Sequence, residues 1–216
     1  MEKPFSGWRE GRRHYLPLFV AAIVAGCVLW PFGYAWTAIP LLLVACGTLL
    51  FFRDFHREIV CAPGQAIAPA DGVVVAVEHL PETPHYDGPC VRISIFMSVL
   101  NVHVNRAPCA CTVRELRYAP GKYKNAMTDE ASRVNESNAL WLDTEWGPVT
   151  VRQISGAVAR RIVCPVAVDT TLKQGEKFGM IKFGSRVETF LPPDSEPVVT
   201  VNQKARAGVT VLARFS

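Results

Sequence analysis

Gly72-Val73-Val74-Val75-Ala76-Val77 and Val91-Arg92-Ile93-Ser94-Ile95-Phe96 decide the fold class of this 216-residue chain. Both are short, rich in β-branched residues and flanked by Gly, Pro or Asp, the composition of strands that pack on a pleated, half-buried surface. Runs of similar texture recur at 111–117, 140–144, 148–154 and 161–163 and, in pieces, across 198–212. Helical periodicity is scarce in this region; residues 123–137 have room for one helical turn or an ordered loop. The expected fold is mainly β, a barrel- or sandwich-like domain over 53–216. About 150 residues are enough to bury a core of their own.

Toward the N-terminus the texture changes. Residues 15–52 contain no Asp, Glu, Lys, Arg or His. That is too long for one helix through a hydrocarbon core about 30 Å thick, which takes about 20 residues. Trp30-Pro31-Phe32-Gly33-Tyr34-Ala35-Trp36 interrupts the run with helix punctuators and interface-seeking aromatics. The expectation is a basic N-terminus (1–15) followed by a hydrophobic helical hairpin (16–52), with helices at 16–30 and 37–52. Each is near the lower limit for spanning, so crossing the bilayer and entering one leaflet both stay open. Arg9, Arg12 and Arg13 precede the run, Arg53 and Arg57 follow it, and the turn is uncharged. The positive-inside rule then places both ends, and the β domain, on the cytoplasmic side of the cell membrane. A signal peptide would have one apolar segment and a small-residue cleavage site; here a second apolar segment follows.

The net charge is +4, with no dense Lys/Arg block. This argues for no nucleic-acid partner and suits an anionic lipid surface. The seven cysteines are odd in number and irregular in spacing, and Cys109 and Cys111 form C-x-C rather than C-x-x-C. Free thiols in a reducing compartment, with no metal, are expected.

Four places carry residues able to do chemistry. Ala68-Pro69-Ala70-Asp71-Gly72 precedes a strand and, taken alone, reads as a turn. Asn101-Val102-His103-Val104-Asn105-Arg106 sets a His, two Asn and an Arg in an apolar neighbourhood, where polar groups need partners. In extended backbone His103 and Asn105 share a face. His103 reads either as a hydrogen-bonded core residue or as a general acid/base, since an imidazole pKa near 6.5 allows proton transfer at neutral pH. Lys122, Lys124 and Asn125, with Asn135 and Glu136 downstream, form either a solvated loop or a set of donors for a phosphate head group. Asn135-Glu136-Ser137 is a glycosylation sequon that a cytoplasmic domain leaves unused. Last, Phe183-Gly184-Ser185-Arg186 by itself signals no more than a turn.

Together and in this order, the four places resemble the phosphatidylserine decarboxylase family, specifically its short class. The resemblance runs from about residue 63 to the C-terminus. It rests on Pro69-Ala70-Asp71-Gly72, Phe96-Met97-Ser98 leading into residues 101–106, Tyr123-Lys124-Asn125-Ala126 with Asn135-Glu136, and Phe183-Gly184-Ser185-Arg186. It implies a proenzyme that cuts itself between Gly184 and Ser185 into a β chain (1–184) and an α chain (185–216). Ser185 attacks the Gly184 carbonyl, and elimination and hydrolysis leave a covalent pyruvoyl group at the new N-terminus. Glycine at 184 suits this, having no Cβ to block approach and tolerating strained backbone angles. The resemblance assigns assistance in self-cleavage to Asp71 and His103, and decarboxylation to a Schiff base between the pyruvoyl ketone and the amine of phosphatidylserine. The product is phosphatidylethanolamine; neither metal nor pyridoxal phosphate is required. His103 would also handle the substrate carboxylate or reprotonate Cα.

Longer members carry a second His where this chain has Arg106, and a small residue where it has Arg186. Arg106 could instead bind a carboxylate or phosphate, so the division of work between Asp71, His103 and Arg106 stays open. Partners implied are phosphatidylserine in the membrane and the two chains of one precursor; a homo-oligomer is left open. Two other readings compete. A tethered carrier module would need an exposed hairpin lysine, with Lys173 and Lys182 as candidates, but neither lies in a Met-Lys-Met setting. A decarboxylase of soluble amino acids fits the hydrophobic hairpin poorly, since an anchor serves to hold a site near a lipid substrate.

Overall fold

The structure, a computed structural model, describes residues 5–59, 62–157, 161–182 and 184–216. Cys61, one of the seven cysteines, and Phe183 of the last motif lie outside the described residues. Residues 6–55 form one compact unit and residues 56–216 the body of another.

The first unit holds α1 (Gly7–Leu29) and α2 (Ile39–Phe51), joined by 3-10 turns at Trp30–Phe32 and Ala35–Ala38. Gly33, at φ 78°, stops the first turn in a conformation that costs glycine little. Helix α1 begins at residue 7, well before the expected residue 16. Arg9, Glu10, Arg12 and Arg13 are good helix formers despite their charge. The start is satisfied from a distance: the Ser6 side chain makes no cap, and the Asp54 carboxylate accepts the Gly7 N–H at 3.1 Å. A carboxylate there also complements the positive end of the helix dipole. The indole of Trp8 donates to the Asp54 carbonyl at 3.0 Å, and His14 stacks on Phe52 at 5.3 Å. By length and composition Gly7–Phe32 is apolar and long enough to cross a membrane, whereas Ala35–Phe51 is shorter.

The second unit is mainly β. Its strands are β1 (Gln65–Ile67), β2 (Gly72–Leu80), β3 (Cys90–Met97), β4 (Val104–Arg106), β5 (Cys111–Ala119), β6 (Ser137–Thr144) and β7 (Gly147–Ile154). They continue with β8 (Ile162–Val163), β9 (Thr171–Leu172), β10 (Lys177–Ile181), β11 (Ser185–Leu191), β12 (Glu196–Pro197), β13 (Lys204–Ala205) and β14 (Val211–Arg214). Between β5 and β6 lies α3 (Asp129–Val134), the single helical turn allowed by the sequence, capped where Thr128 Oγ1 accepts the Ala131 N–H at 3.3 Å.

Eight strands form one antiparallel sheet in the order β13-β2-β3-β11-β7-β6-β5-β9, curled into a half-barrel. Two three-stranded sheets, β1-β14-β12 and β4-β10-β8, complete the unit. Alternation along the strands sends Ile93, Ile95, Met97, Leu140, Val149, Val151 and Val187 into one buried core. Asp71-Gly72 is more than a turn. Gly72 opens β2 so close to β3 that a Cβ would fall inside contact distance of the Phe96 carbonyl oxygen.

The sequence reading leaves β11 without a strand, because Arg186 and Glu188 break its apolar pattern. Both point away from the apolar core into a buried polar cluster. Glu188 meets Arg186 Nε at 3.1 Å, Arg152 Nη1 at 3.4 Å and Arg92 Nη1 at 3.7 Å. Ser132 of α3 donates to it at 2.7 Å. His85 packs beside Phe190 at 5.8 Å on the same strand, and burial, then Arg152, lowers its pKa from 6.5 to about 4.

A Gly72→Ala chain should lose about 1–3 kcal/mol of stability, the usual cost of overpacking, seen as a lower unfolding midpoint of the β unit. An unchanged midpoint would contradict the close approach. Neutral His85 also makes stability depend on pH. The unfolded state takes a proton near 6.5 while the folded state resists it until about 4, so stability should fall as pH drops through that window. His85→Gln should flatten this slope in denaturant titrations at a series of pH values.

Candidate active site

Ser185 and Gly184 sit where β10 gives way to β11. Ser185 is fully buried and pairs directly across from Met97 of β3, so the two side chains share one face. Its hydroxyl reaches the Met97 thioether at 3.4 Å. Gly184 has φ 58°, a left-handed conformation that L side chains rarely adopt. The strain allowed by a missing Cβ is therefore placed on the residue before Ser185. Phe183, the remaining member of this motif, is not among the described residues.

The Gly184 carbonyl is packed from the side by a second glycine. A Cβ on Gly156, just past the end of β7, would overlap the Gly184 oxygen and come within 3.2 Å of Ala126 Cβ. Val99 lies on the other flank, 4.0 Å from where a Gly184 Cβ would be. The 98–101 turn and the 122–128 loop thus meet around one peptide bond.

Each loop is held by an asparagine. Asn101 Oδ1 accepts from the Ser98 N–H at 2.9 Å and the Ser98 hydroxyl at 2.8 Å. Its carbonyl lies 2.9 Å from His103 Nδ1. A carbonyl can only accept, so Nδ1 carries the proton and, in the neutral ring, Nε2 holds the lone pair. His103 is fully buried, and its own carbonyl accepts the Ile181 N–H at 3.3 Å, four residues before Ser185. On the second loop Asn135 accepts the Lys124 N–H at 2.8 Å and donates to the Lys124 and Ser155 carbonyls, each at 2.8 Å. It thereby staples residues 122–125 to the segment that carries Gly156. Tyr118 donates to Glu136 at 2.9 Å.

Beneath Ser185 runs a chain of buried amides. Asn138 Nδ2 donates to Gln153 Oε1 at 3.4 Å, Gln153 Nε2 to Asn105 Oδ1 at 2.8 Å, and Asn105 Nδ2 to Met97 Sδ at 3.8 Å. Asn105 thus reaches the same sulfur as Ser185.

The other expected residues lie apart from this chain. Asp71 is gripped by Arg57 through paired contacts of 2.5 and 2.7 Å and accepts the Ala207 N–H at 2.7 Å; its bonds do not go to His103. Arg106 is buried and donates to the Gly175 carbonyl at 2.9 Å. Lys122 is exposed, Lys124 pairs with Glu130, and Asn125 Oδ1 accepts the Met127 N–H at 3.1 Å. Lys182, a candidate carrier lysine, is buried. Sequence reasoning gave no role to Arg57 beyond its charge, and passed over Gln153 and Gly156. A Gln inside an otherwise β-branched run was a visible signal for Gln153; nothing in the sequence marks Gly156.

Against known proteins, the sequence model of the family described as phosphatidylserine decarboxylase matches residues 47–213. The chain is 44% identical to the phosphatidylserine decarboxylase proenzyme of Nitrosomonas eutropha over 96% of its own length and 94% of the relative's. It is 42% identical to that of Magnetococcus marinus over 100% and 98%, and 46% identical to that of Oleidesulfovibrio alaskensis over 82% and 81%. With the family model matching residues 47–213 and relatives matched nearly end to end, the chain belongs to the phosphatidylserine decarboxylase family.

Proposed function

We propose that this chain is a self-processing enzyme that decarboxylates phosphatidylserine to phosphatidylethanolamine and CO2, with a pyruvoyl group made from its own Ser185. The observation that carries this reading is the Gly184–Ser185 peptide itself: a left-handed glycine joined to a buried serine, with its carbonyl wedged against Gly156.

Self-cleavage begins with the Ser185 hydroxyl adding to the Gly184 carbonyl carbon. The C–N bond breaks, the nitrogen takes a proton and an ester joins the two residues. Elimination then releases residues 1–184 as a carboxylate, and hydrolysis with loss of ammonia leaves the pyruvoyl end. His103, with Nδ1 committed to the Asn101 carbonyl, offers Nε2 to move the hydroxyl proton. The thioether beside the hydroxyl is a weak acceptor and leaves the serine oxygen available for attack. Asp71 acts from a distance, tying Arg57 and residue 207 to the segment whose Gly72 packs on β3.

The residues present fit the group that results. A pyruvoyl group at position 185 would supply a ketone able to take a primary amine as a Schiff base, and with it the electron sink that loss of CO2 needs. The new terminus stays fixed because β11 is hydrogen-bonded to β3 and β7 along its length; the α chain (185–216) so remains bound to the β chain (1–184). Around it the site is buried, which favours a reaction that dissipates carboxylate charge. His103 can return a proton to Cα. Lys122, Lys124 and Asn125 stand on the loop stapled next to the scissile peptide and offer donors to the lipid phosphate. The helical unit anchors the enzyme in the membrane, with the flanking arginines on the cytoplasmic side.

Purified protein should run on a denaturing gel as two fragments divided after Gly184, the smaller blocked at its N-terminus by mass analysis. Ser185→Ala should remain one chain and release no CO2 from phosphatidylserine. A wild-type chain that stays intact yet turns over lipid would sink the mechanism. Gly156→Ala tests the wedge: pushing a methyl into the Gly184 carbonyl should slow self-cleavage at least tenfold in a time course of newly made protein, about 1.4 kcal/mol of barrier. Cleavage at the parent rate would remove Gly156 from the reaction.

A further inference from the structure

Two hydrogen-bond donors converge on one poor acceptor at the floor of the site. Ser185 Oγ donates to Met97 Sδ at 3.4 Å, and Asn105 Nδ2 donates to the same sulfur at 3.8 Å. A thioether is a weak acceptor, so neither donor is well used. Asn105 is fully buried, where an amide N–H gains most from a strong acceptor. The direction in which it points is imposed by its neighbours. Asn138 donates to Gln153, Gln153 donates to Asn105 Oδ1, and the Asn105 N–H is left to face Met97 Sδ, the sulfur that Ser185 also reaches. The relay delivers a fixed donor beside the residue that becomes the reactive end.

We propose that Asn105, oriented by Gln153, is the subsite for the carboxylate of the substrate's serine head group. The proposal rests on the decarboxylase reading above and adds to it the group that holds the leaving carboxylate. The chemistry suits a neutral donor. A guanidinium or ammonium at this point would stabilise the carboxylate more than the transition state, in which that charge is being lost, and would raise the barrier. An amide N–H orients the carboxylate at a smaller ground-state cost, and the Met97 side chain keeps the surroundings apolar. This assignment also accounts for why polar Asn105 and Gln153 occupy interior positions on strands whose neighbours, Val149, Val151 and Val187, build the core. Arg106 and Asp71 are committed elsewhere, to Gly175 and to Arg57 with Ala207.

The test separates the carboxylate from the amine. Asn105→Asp keeps the acceptor for Gln153 and replaces the N–H donor by a negative charge. Gln153→Leu keeps Asn105 but removes what orients it. Full-length protein is assayed in mixed micelles for the KM of phosphatidylserine and for the inhibition constant of phosphatidylethanolamine, which has the amine and phosphate but no carboxylate. Losing a hydrogen bond to a charged group should raise the phosphatidylserine KM roughly ten- to a hundredfold in Asn105→Asp, and by a smaller factor in Gln153→Leu. Inhibition by phosphatidylethanolamine should stay within about twofold, since no carboxylate contact is at stake. Constants that move together, or a KM that does not move, would overturn the assignment. Both variants must also cut themselves; an uncut chain would place the amides in processing rather than in substrate binding, and overturn it too. If the wild-type chain fails to turn over phosphatidylserine, the decarboxylase reading itself falls, whereas active wild type with unshifted variants removes only the carboxylate subsite.

Discussion

Strand β11 is hydrogen-bonded on both edges, and the site depends on that. Residues 185–191 pair in unbroken register with β3, and residues 186–190 pair with β7 on the other side. A strand so held cannot rotate or slide without breaking two ladders. Period-two alternation then fixes its side chains: Ser185 and Val187 face the interior, Arg186 and Glu188 the opposite side. Ser185 pairs with Met97 of β3 and leads straight into the segment held on both sides, while the unusual backbone geometry is confined to Gly184 just outside the ladder. A cut at that point would sever a junction and leave the sheet whole.

The buried charges around Glu188 follow from the same pairing. Three arginines and a serine hydroxyl converge on one carboxylate. Such a cluster contributes little net stability compared with apolar packing, yet removing its carboxylate would leave buried cations uncompensated. Its geometric effect is larger, since Ser132 belongs to α3 and ties the loop beside the Gly184–Ser185 peptide to the strand that begins with Ser185. Asn135 does similar work from the same loop, and Asn101 from the turn on the far flank. Hydrogen bonds of this kind hold irregular backbone in place where no ladder can.

Much of the fold was legible because β-branched, half-buried strands advertise themselves. The hairpins built from β2 with β3 and from β6 with β7 lie where Val and Ile concentrate. Charge interrupted the pattern in β11, and very short pairings such as β1, β4 and β9 carry too few residues to show a period. Helix α1 was read too short for the opposite reason: hydropathy sees the apolar run, while the first turns are polar and depend on Asp54, far away in sequence. Ser185, Gly184 and His103 were singled out as candidates through the order of several weak motifs. Arg57, Gln153 and Gly156 were not, because each acquires its meaning from a partner distant in the chain: Asp71, Asn105 and the Gly184 carbonyl.

The sequence by itself determined the β class of the domain, the apolar N-terminal segments and the family, since these depend on composition, local periodicity and motif order. Tertiary structure decided which polar residues act together. It took Asp71 and Arg106 to Arg57 and Gly175, and brought Asn105, through Gln153, to the sulfur that Ser185 also touches. The physical reason is that a buried donor or acceptor must be satisfied by whatever the fold places next to it, and in an antiparallel sheet that neighbour is set by strand order and register, which local sequence does not encode.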